Sequence, residues 1–197
     1  MNRILTELYD SREAAIDFAN IATHQLNHIL AINFPSLVDP QHSIVWRIKS
    51  ENATRLKAES RKGVISINDF IGIRVLVLHT GALSQVESTL KEWEDQLGLK
   101  LTQRNDYFSN PAPGGYRAIH RDYKLQDYSR WSLSTVSGVE LQITTWLQHV
   151  HSLLSHSCYY KNPNIAPEKN AKILADFSNK IHELDSTIAD IYSSLKT

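Results

Sequence analysis

Apolar residues recur at helical spacing from Ile4 to Phe34. Leu8, Ala15, Phe18, Ala22, Leu26, Ile29 and Leu30 share one stripe, with no Gly or Pro between them. The spacing predicts one long helix, ended by Pro35 and Pro40. Ser50 is placed to cap a second helix running through Leu56 toward Lys62, with Gly63 as its stop. Phe70 to Leu78 is β-branched and almost continuously apolar, the pattern of a strand buried on both faces. Leu83 to Leu97 reads as an amphipathic helix stopped by Gly98, and Leu99 to Arg104 as a short strand. Phe108 to Tyr116 holds too many breakers for a regular element and reads as a loop. Ala118 to Leu125 and Trp131 to Thr145 read as strands, the second interrupted near Ser137-Gly138, and Trp146 to Tyr160 as a helix.

From Glu168 onward the apolar positions alternate by four and three: Phe177, Ile181, Leu184, Ile188, Ile191 and Leu195. That narrow seam asks for one partner helix, the first helix of the chain or another chain. Helices bracket a core of strands, so the fold class is α/β (α+β) with a mixed, largely antiparallel sheet flanked by helices. The expected organisation is one domain over 1–197, with an N-terminal helix at 1–35, a core at 45–161 and a C-terminal helix at 168–197.

Composition narrows the function classes. Lys plus Arg and Asp plus Glu both number 21, so there is no net basic excess of the kind that duplex-wrapping proteins carry. A local basic pocket is still compatible with zero net charge. The single cysteine, Cys158, has no internal partner, which fits a reducing compartment. No run approaches the ~20 apolar residues of a membrane span, and Met1–Arg12 carries Glu7 and Asp10 where a signal peptide would be apolar. A cytoplasmic protein without membrane contact is expected.

Four clusters carry candidate chemistry. Arg47 and Lys49 flank one apolar residue and point the same way if extended, and Arg55, Lys57, Arg61 and Lys62 follow. Several cations at a helix start suit a polyphosphate, although a solvated basic face is the plainer reading. Asn68-Asp69 stands at the mouth of the apolar strand, where a carboxylate can hold Mg²⁺ together with substrate phosphates. Arg74 lies inside that strand and needs a partner, in the plain reading an acid elsewhere. In Val139-Glu140-Leu141-Gln142-Ile143-Thr144, one face is apolar and Glu140, Gln142 and Thr144 share the other. Glu140 is a candidate second metal acid or general base. Pro111 to His120 sets two glycines before Tyr116, Ala118 and His120, a place for a stacked base and a phosphate oxygen, or for a turn with a core tyrosine. His149 and His151 are about 200° apart on a helix and cannot share a metal.

The order of these segments is more specific than any one of them. Arg-Ile-Lys-Ser, Asn-Asp-Phe-Ile-Gly-Ile-Arg-Val, Asp-Tyr-Phe-Ser-Asn-Pro-Ala-Pro-Gly-Gly-Tyr-Arg-Ala-Ile-His, Val-Glu-Leu-Gln-Ile-Thr-Thr and His-Ser-Cys-Tyr-Tyr-Lys run collinearly from about Val45 to Lys161. This pattern resembles the RelA/SpoT-type alarmone synthetase domain, in the form of a small stand-alone synthetase. The resemblance implies a pyrophosphokinase that moves the β,γ-diphosphate of ATP to the 3′-hydroxyl of a nucleotide, GDP or GTP, to make (p)ppGpp and release AMP. By position it implies that Arg47 and Arg74 sandwich the adenine and that Lys49 and Lys57 hold the ATP phosphates. It implies Asp69 and Glu140 as Mg²⁺ ligands, Glu140 also as a base toward the attacking hydroxyl. Tyr116 and His120, with Gln142 in support, fall on the acceptor side, and His156 also matches.

Three departures from the family pattern stand out, two of them on that same side. Ala112 stands where the family commonly has Lys, Gly114 where it has Asn, and Thr144 where it has Arg; Ala53 replaces a common Ser on the donor side. The donor half is therefore expected to be intact and the acceptor half altered. Two alternatives follow: a toxic member that pyrophosphorylates the tRNA 3′ end or makes adenosine alarmones, or an inactive nucleotide- or partner-binding domain. Arg117, Arg121, Lys124 and Arg130 are candidates for a basic patch toward tRNA. An antitoxin or a second copy of the chain is a candidate protein partner.

Overall fold

The computed structural model describes residues 3–34, 43–60, 67–156 and 167–194. Expectations that fall on Pro35, Pro40, Arg61, Lys62, Gly63, Cys158, Tyr160, Lys161 and Leu195 lie outside the described residues. The elements run α1 (Arg3–Asp10), α2 (Arg12–Asn33), β1 (Ile44–Ile48), α3 (Glu51–Ser60), β2 (Ile67–Val77), α4 (Leu83–Leu97), β3 (Leu99–Asp106), β4 (Ile119–Leu125), β5 (Ser137–Thr145), α5 (Trp146–Ser155) and α6 (Pro167–Ser194). Short 3₁₀ turns stand at Thr80–Ala82, Pro113–Gly115 and Ser129–Trp131.

The strands form one sheet in the order β1-β2-β5-β4-β3. Only the β2–β5 pair is parallel; β1–β2, β4–β5 and β3–β4 are antiparallel. Because side chains alternate along a strand, this register sorts the sheet into two faces. Ile71, Ile73, Val75, Val139, Leu141, Ile143 and Tyr123 enter the core, in one cluster with Phe18, Leu26 and Leu30 of α2 and Val86, Leu90 and Trp93 of α4. Trp93 is fully buried and satisfies its indole by donating to the Ala22 carbonyl at 2.9 Å. Among the described residues, no helix is long and apolar enough to cross a membrane.

Several sequence expectations hold. The strand through Phe70 is buried between β1 and β5, α4 ends at Gly98, and Ser50 caps α3 by accepting from the Ala53 amide at 3.3 Å. Others do not. The predicted first helix is two helices, because Ser11 turns back on α1 and donates to the Leu8 carbonyl at 3.3 Å. Trp131 to Val136 is no strand: Asp127 caps the turn at Ser129–Trp131 through the Ser129 amide at 2.9 Å, and β5 begins only at Ser137.

The last helix buries Ile181 of the expected seam, but the rest of its inward face is different. Leu174, Ser178, Ile181 and Asp185 are turned inward, whereas Leu184 and Ile191 are each 55% exposed. Its partner is α5 together with the turns at Thr80–Ala82 and Pro113–Gly115, not the first helix. Polar groups make that contact. His151 bonds the Leu174 carbonyl at 2.9 Å, and the buried Asp185 accepts from Thr145, the N-cap of α5, at 2.8 Å.

Candidate active site

The sheet face opposite the core carries the chemistry in two adjacent rows. One row runs Arg47, Gly72, Glu140, Asp122 across β1, β2, β5 and β4. The next runs Val45, Arg74, Gln142, His120, and reaches Asn105 on β3. Residues far apart in sequence, such as Gly72 and Glu140 or Arg74 and Gln142, thus become neighbours about 5 Å apart. A cavity of about 280 Å³ opens over β1 and β2, lined by Arg47, Arg74, Glu140, Gln142, Leu153 and His156 among others.

Gly72 is the floor of this cavity. A methyl group there would come within 3.3 Å of the Arg47 Cγ, so the missing side chain lets Arg47 lie flat across β2. Arg74 has no acid beside it. Its Nε and Nη2 donate to the Gln142 carbonyl oxygen at 2.9 and 2.6 Å, and its Nη1 donates to His149 Nδ1 at 2.7 Å. Burial, more than any neighbour, pulls the Arg74 guanidinium below its ordinary range, and the like charge of Arg47 adds to this.

The two expected acids are held differently. Asp69 takes an ammonium on each oxygen, Lys49 Nζ on Oδ2 and Lys57 Nζ on Oδ1, both at 2.6 Å. Burial pushes its carboxyl up, but the two lysines outweigh that and hold it below the usual carboxylate range. Glu140 lies 3.2 Å from His120 Nδ1 through Oε1 and accepts from Gln142 Nε2 at 2.6 Å through Oε2. Burial again pushes up, and the His120 and Gln142 bonds win, so Glu140 is ionised below its usual range.

On the acceptor side, Tyr116 leaves the glycine turn and its hydroxyl meets His120 Nε2 at 2.8 Å. A carboxylate only accepts, so Nδ1 of His120 carries the proton toward Glu140 and, in the neutral ring, Nε2 accepts from Tyr116. Tyr107 packs edge-on against His120 and Tyr116 at 5.0 and 6.0 Å between ring centroids. Gln142 ties the halves together, since it bonds both Arg74 and Glu140.

Asp122 is a site-face acid that the motifs above do not name. It stands opposite Glu140 in the β4–β5 register, and burial, then the Glu140 charge, raises its carboxyl above the usual range. The signal was available: His120-Arg121-Asp122 alternates, so a strand that presents His120 presents Asp122 as well. The same alternation removes Arg121 from the expected basic patch. It faces α4 and pairs with Glu87 at 2.8 Å and Glu94 at 2.9 Å. Arg117 is spent on the Phe108 carbonyl at 2.7 Å and the Asn179 side chain at 3.0 Å, and Arg130 lies over the Trp131 ring. Thr144, in place of the family Arg, donates to the Arg117 carbonyl at 3.0 Å.

The donor set suits Mg²⁺. Among the described residues no three His, Cys, Asp or Glu side chains are grouped to hold a metal alone. Mg²⁺ does not need such a cage; it takes one or two carboxylates and completes its shell with water and substrate phosphates. Asp69 and Glu140 lie on adjacent strands, the charge of Asp69 opposes ionisation of Glu140, and the two would supply that pair.

Comparison with known proteins follows the same lines. Residues 43–165 match the family described as the region found in RelA / SpoT proteins. The chain is 28% identical over 125 residues to the GTP pyrophosphokinase YwaC of Bacillus subtilis (strain 168), a match that covers 64% of this chain and 58% of that relative's length. In structure it is similar to a GTP pyrophosphokinase family protein from Streptococcus pneumoniae, with a TM-score of 0.78 at 19% identity over 95% of this chain and 93% of the other. It is also similar to small alarmone synthetase 1 of Bacillus subtilis bound to its product pppGpp, with a TM-score of 0.65 at 22% identity over 78% of this chain and 79% of the other. The two solved structures share the fold, and the matched region spans both rows of the site. The chain belongs to the RelA/SpoT family.

Proposed function

We propose that this protein is an ATP:nucleotide 3′-pyrophosphotransferase that acts in the cytoplasm as one synthetase domain over residues 1–197. The acceptor is a guanosine nucleotide, GDP or GTP, and the products are (p)ppGpp and AMP. One observation carries the reading: Arg47, Arg74 and Glu140 line one cavity, Asp69 on the strand between them holds Lys49 and Lys57, and His120 on the adjoining strand meets Tyr116 from the glycine turn.

The arrangement supports roles for each group. Arg47 and Arg74 offer flat cationic faces to a purine, which guanidinium groups stack against well. Lys49 and Lys57 transfer their attention from Asp69 to the triphosphate as it enters. Mg²⁺ held by Asp69 and Glu140 would supply charge neutralisation on the phosphates. Tyr116 stacks on the acceptor base, and His120 contacts its ribose or phosphate. The acceptor 3′-oxygen forms a bond to the β-phosphorus, and the bond from that phosphorus to the α,β-bridging oxygen breaks. AMP leaves with that oxygen, and the hydroxyl proton passes to Glu140. Such transfer asks mainly for positioning and charge.

A second acceptor class has its own support. Ala112 and Thr144 carry no charge to meet an acceptor diphosphate. An acceptor without a 5′-diphosphate, such as the terminal adenosine of tRNA, loses nothing from this. An adenosine nucleotide and a docked antitoxin belong to the same reading. The test is incubation with Mg²⁺ and ATP labelled at the γ-phosphate, with GDP, GTP, ADP, ATP and deacylated tRNA in separate tubes. Label on GDP or GTP is the expected result. Label only on tRNA or an adenosine nucleotide establishes the second class, and no label anywhere overturns transfer altogether.

A further inference from the structure

His149 has no role in the chemistry described so far, yet it holds one edge of Arg74. Its Nδ1 lies 2.7 Å from Arg74 Nη1, on the side away from the Gln142 oxygen that takes Nε and Nη2. An arginine side chain has five N–H donors and no acceptor, so the nitrogen it meets must be bare. His149 is therefore neutral here, with its proton on Nε2. Three of the Arg74 donors are engaged by these two residues. The guanidinium is fixed by its edge, and its flat faces are left to the cavity it lines. Arg47 lines that cavity too and repels Arg74, so an unsupported Arg74 would swing away.

We propose that His149 is a positioning residue that presents Arg74 to the donor nucleotide, and that it does so only while its imidazole is uncharged. This rests on the reading of Arg74 as a donor contact. The charged group that faces His149 is Arg74 on β2. From β5 the uncharged Gln142 holds the other edge of the same guanidinium, with Glu140 bonded beyond it, and α6 meets α5 elsewhere, at Gln148 and His151. Burial first, and the Arg74 charge second, keep the imidazole below its ordinary range, so it is neutral at physiological pH. Protonation would cost twice: the acceptor lone pair is lost, and a cation then faces a cation. Donor affinity should fall as pH drops through the His149 titration, in addition to any titration of the nucleotide itself.

The experiment is calorimetric binding of α,β-methylene-ATP with Mg²⁺ between about pH 8 and about pH 5.5, where histidine titrates. It compares the wild type with His149→Asn, His149→Ala and Arg74→Ala. Asn sets a non-titrating amide oxygen where Nδ1 stands. His149→Asn should match the wild type at the high end and bind several-fold more tightly than it at the low end. His149→Ala should be about tenfold weaker throughout, the scale of one lost charged hydrogen bond. Superimposable wild-type and His149→Asn profiles, with Arg74→Ala weakened, would overturn the role of His149. Unchanged affinity in Arg74→Ala would instead overturn the donor-site reading beneath it.

Discussion

The Tyr116 hydroxyl and His120 Nε2 are 2.8 Å apart, although one leaves a glycine turn and the other begins a strand. The bond fixes the tyrosine ring beside the row that holds His120, Gln142 and Arg74, without using its flat face. Tyr116→Ala should therefore raise the acceptor KM by about tenfold or more, the cost of ~1–3 kcal/mol for a lost stacking contact. Affinity for an ATP analogue should hardly move. Steady-state kinetics with each substrate varied in turn will separate the two.

Glu140→Gln keeps the size of the side chain and removes its charge. Transfer should drop by about 10²–10⁴-fold, the usual worth of a general base. Binding of the ATP analogue should persist, because Arg47, Arg74 and Lys57 are untouched. Turnover at the wild-type rate in this variant would rule out the assigned role.

Asp185 makes a stability prediction with a definite sign. It is fully buried, burial pushes its carboxyl up to about 6, and its one bonded oxygen accepts from Thr145. A folded-state value above the unfolded one means that the folded protein is penalised most above pH about 6. The penalty fades as pH falls toward the unfolded value of 3.8 and is gone below it. Asp185→Asn should raise Tm by several degrees at about pH 8 and by less at about pH 5. Thermal melts of both proteins across that range check the crossover.

Arg121 distinguishes a structural cation from a binding one. It bonds Glu87, Glu94 and the Tyr123 hydroxyl on the core side of β4. Arg121→Ala leaves the buried Glu94 without its cation, while Glu87 keeps Arg104, and should cost about 3 kcal/mol of stability. Near the centre of the pH range, KM for any acceptor, tRNA included, should stay within about twofold, because nothing on the site face is lost. A large acceptor effect at a temperature where the variant is folded would return Arg121 to the basic patch.

Much of this was legible in the residues, for identifiable reasons. Period-two alternation in Val139–Thr144 correctly put Glu140 beside Gln142, and α4 was bounded by its own stop residue. The break at Ser11 was not legible, since nothing local distinguishes a buried serine bonding backward from one on a helix surface. The inward face of α6 was misread because its partners are polar: Ser178 bonds the Gly115 carbonyl and Asp185 bonds Thr145. Hydrophobic periodicity is blind to such contacts. His149 was weighed as a metal ligand with His151, and its true neighbour lies 75 positions away in sequence. Tertiary contacts of that range leave no trace in spacing.

The strand order has a consequence for the life of the nascent chain. Among the described residues β5 is the last strand in the sequence, yet it lies between β2 and β4. Before it emerges, the first two strands and the middle two can form only separate ribbons, each with an open edge. Both rows of the site cross β5, so a growing polypeptide holds its donor half and its acceptor half apart. The two rows cannot be joined until synthesis has passed Thr145. A ribosome stalled earlier would display incomplete sheet edges, which makes insertion of this one strand the step that both completes the sheet and joins the two halves of the proposed site.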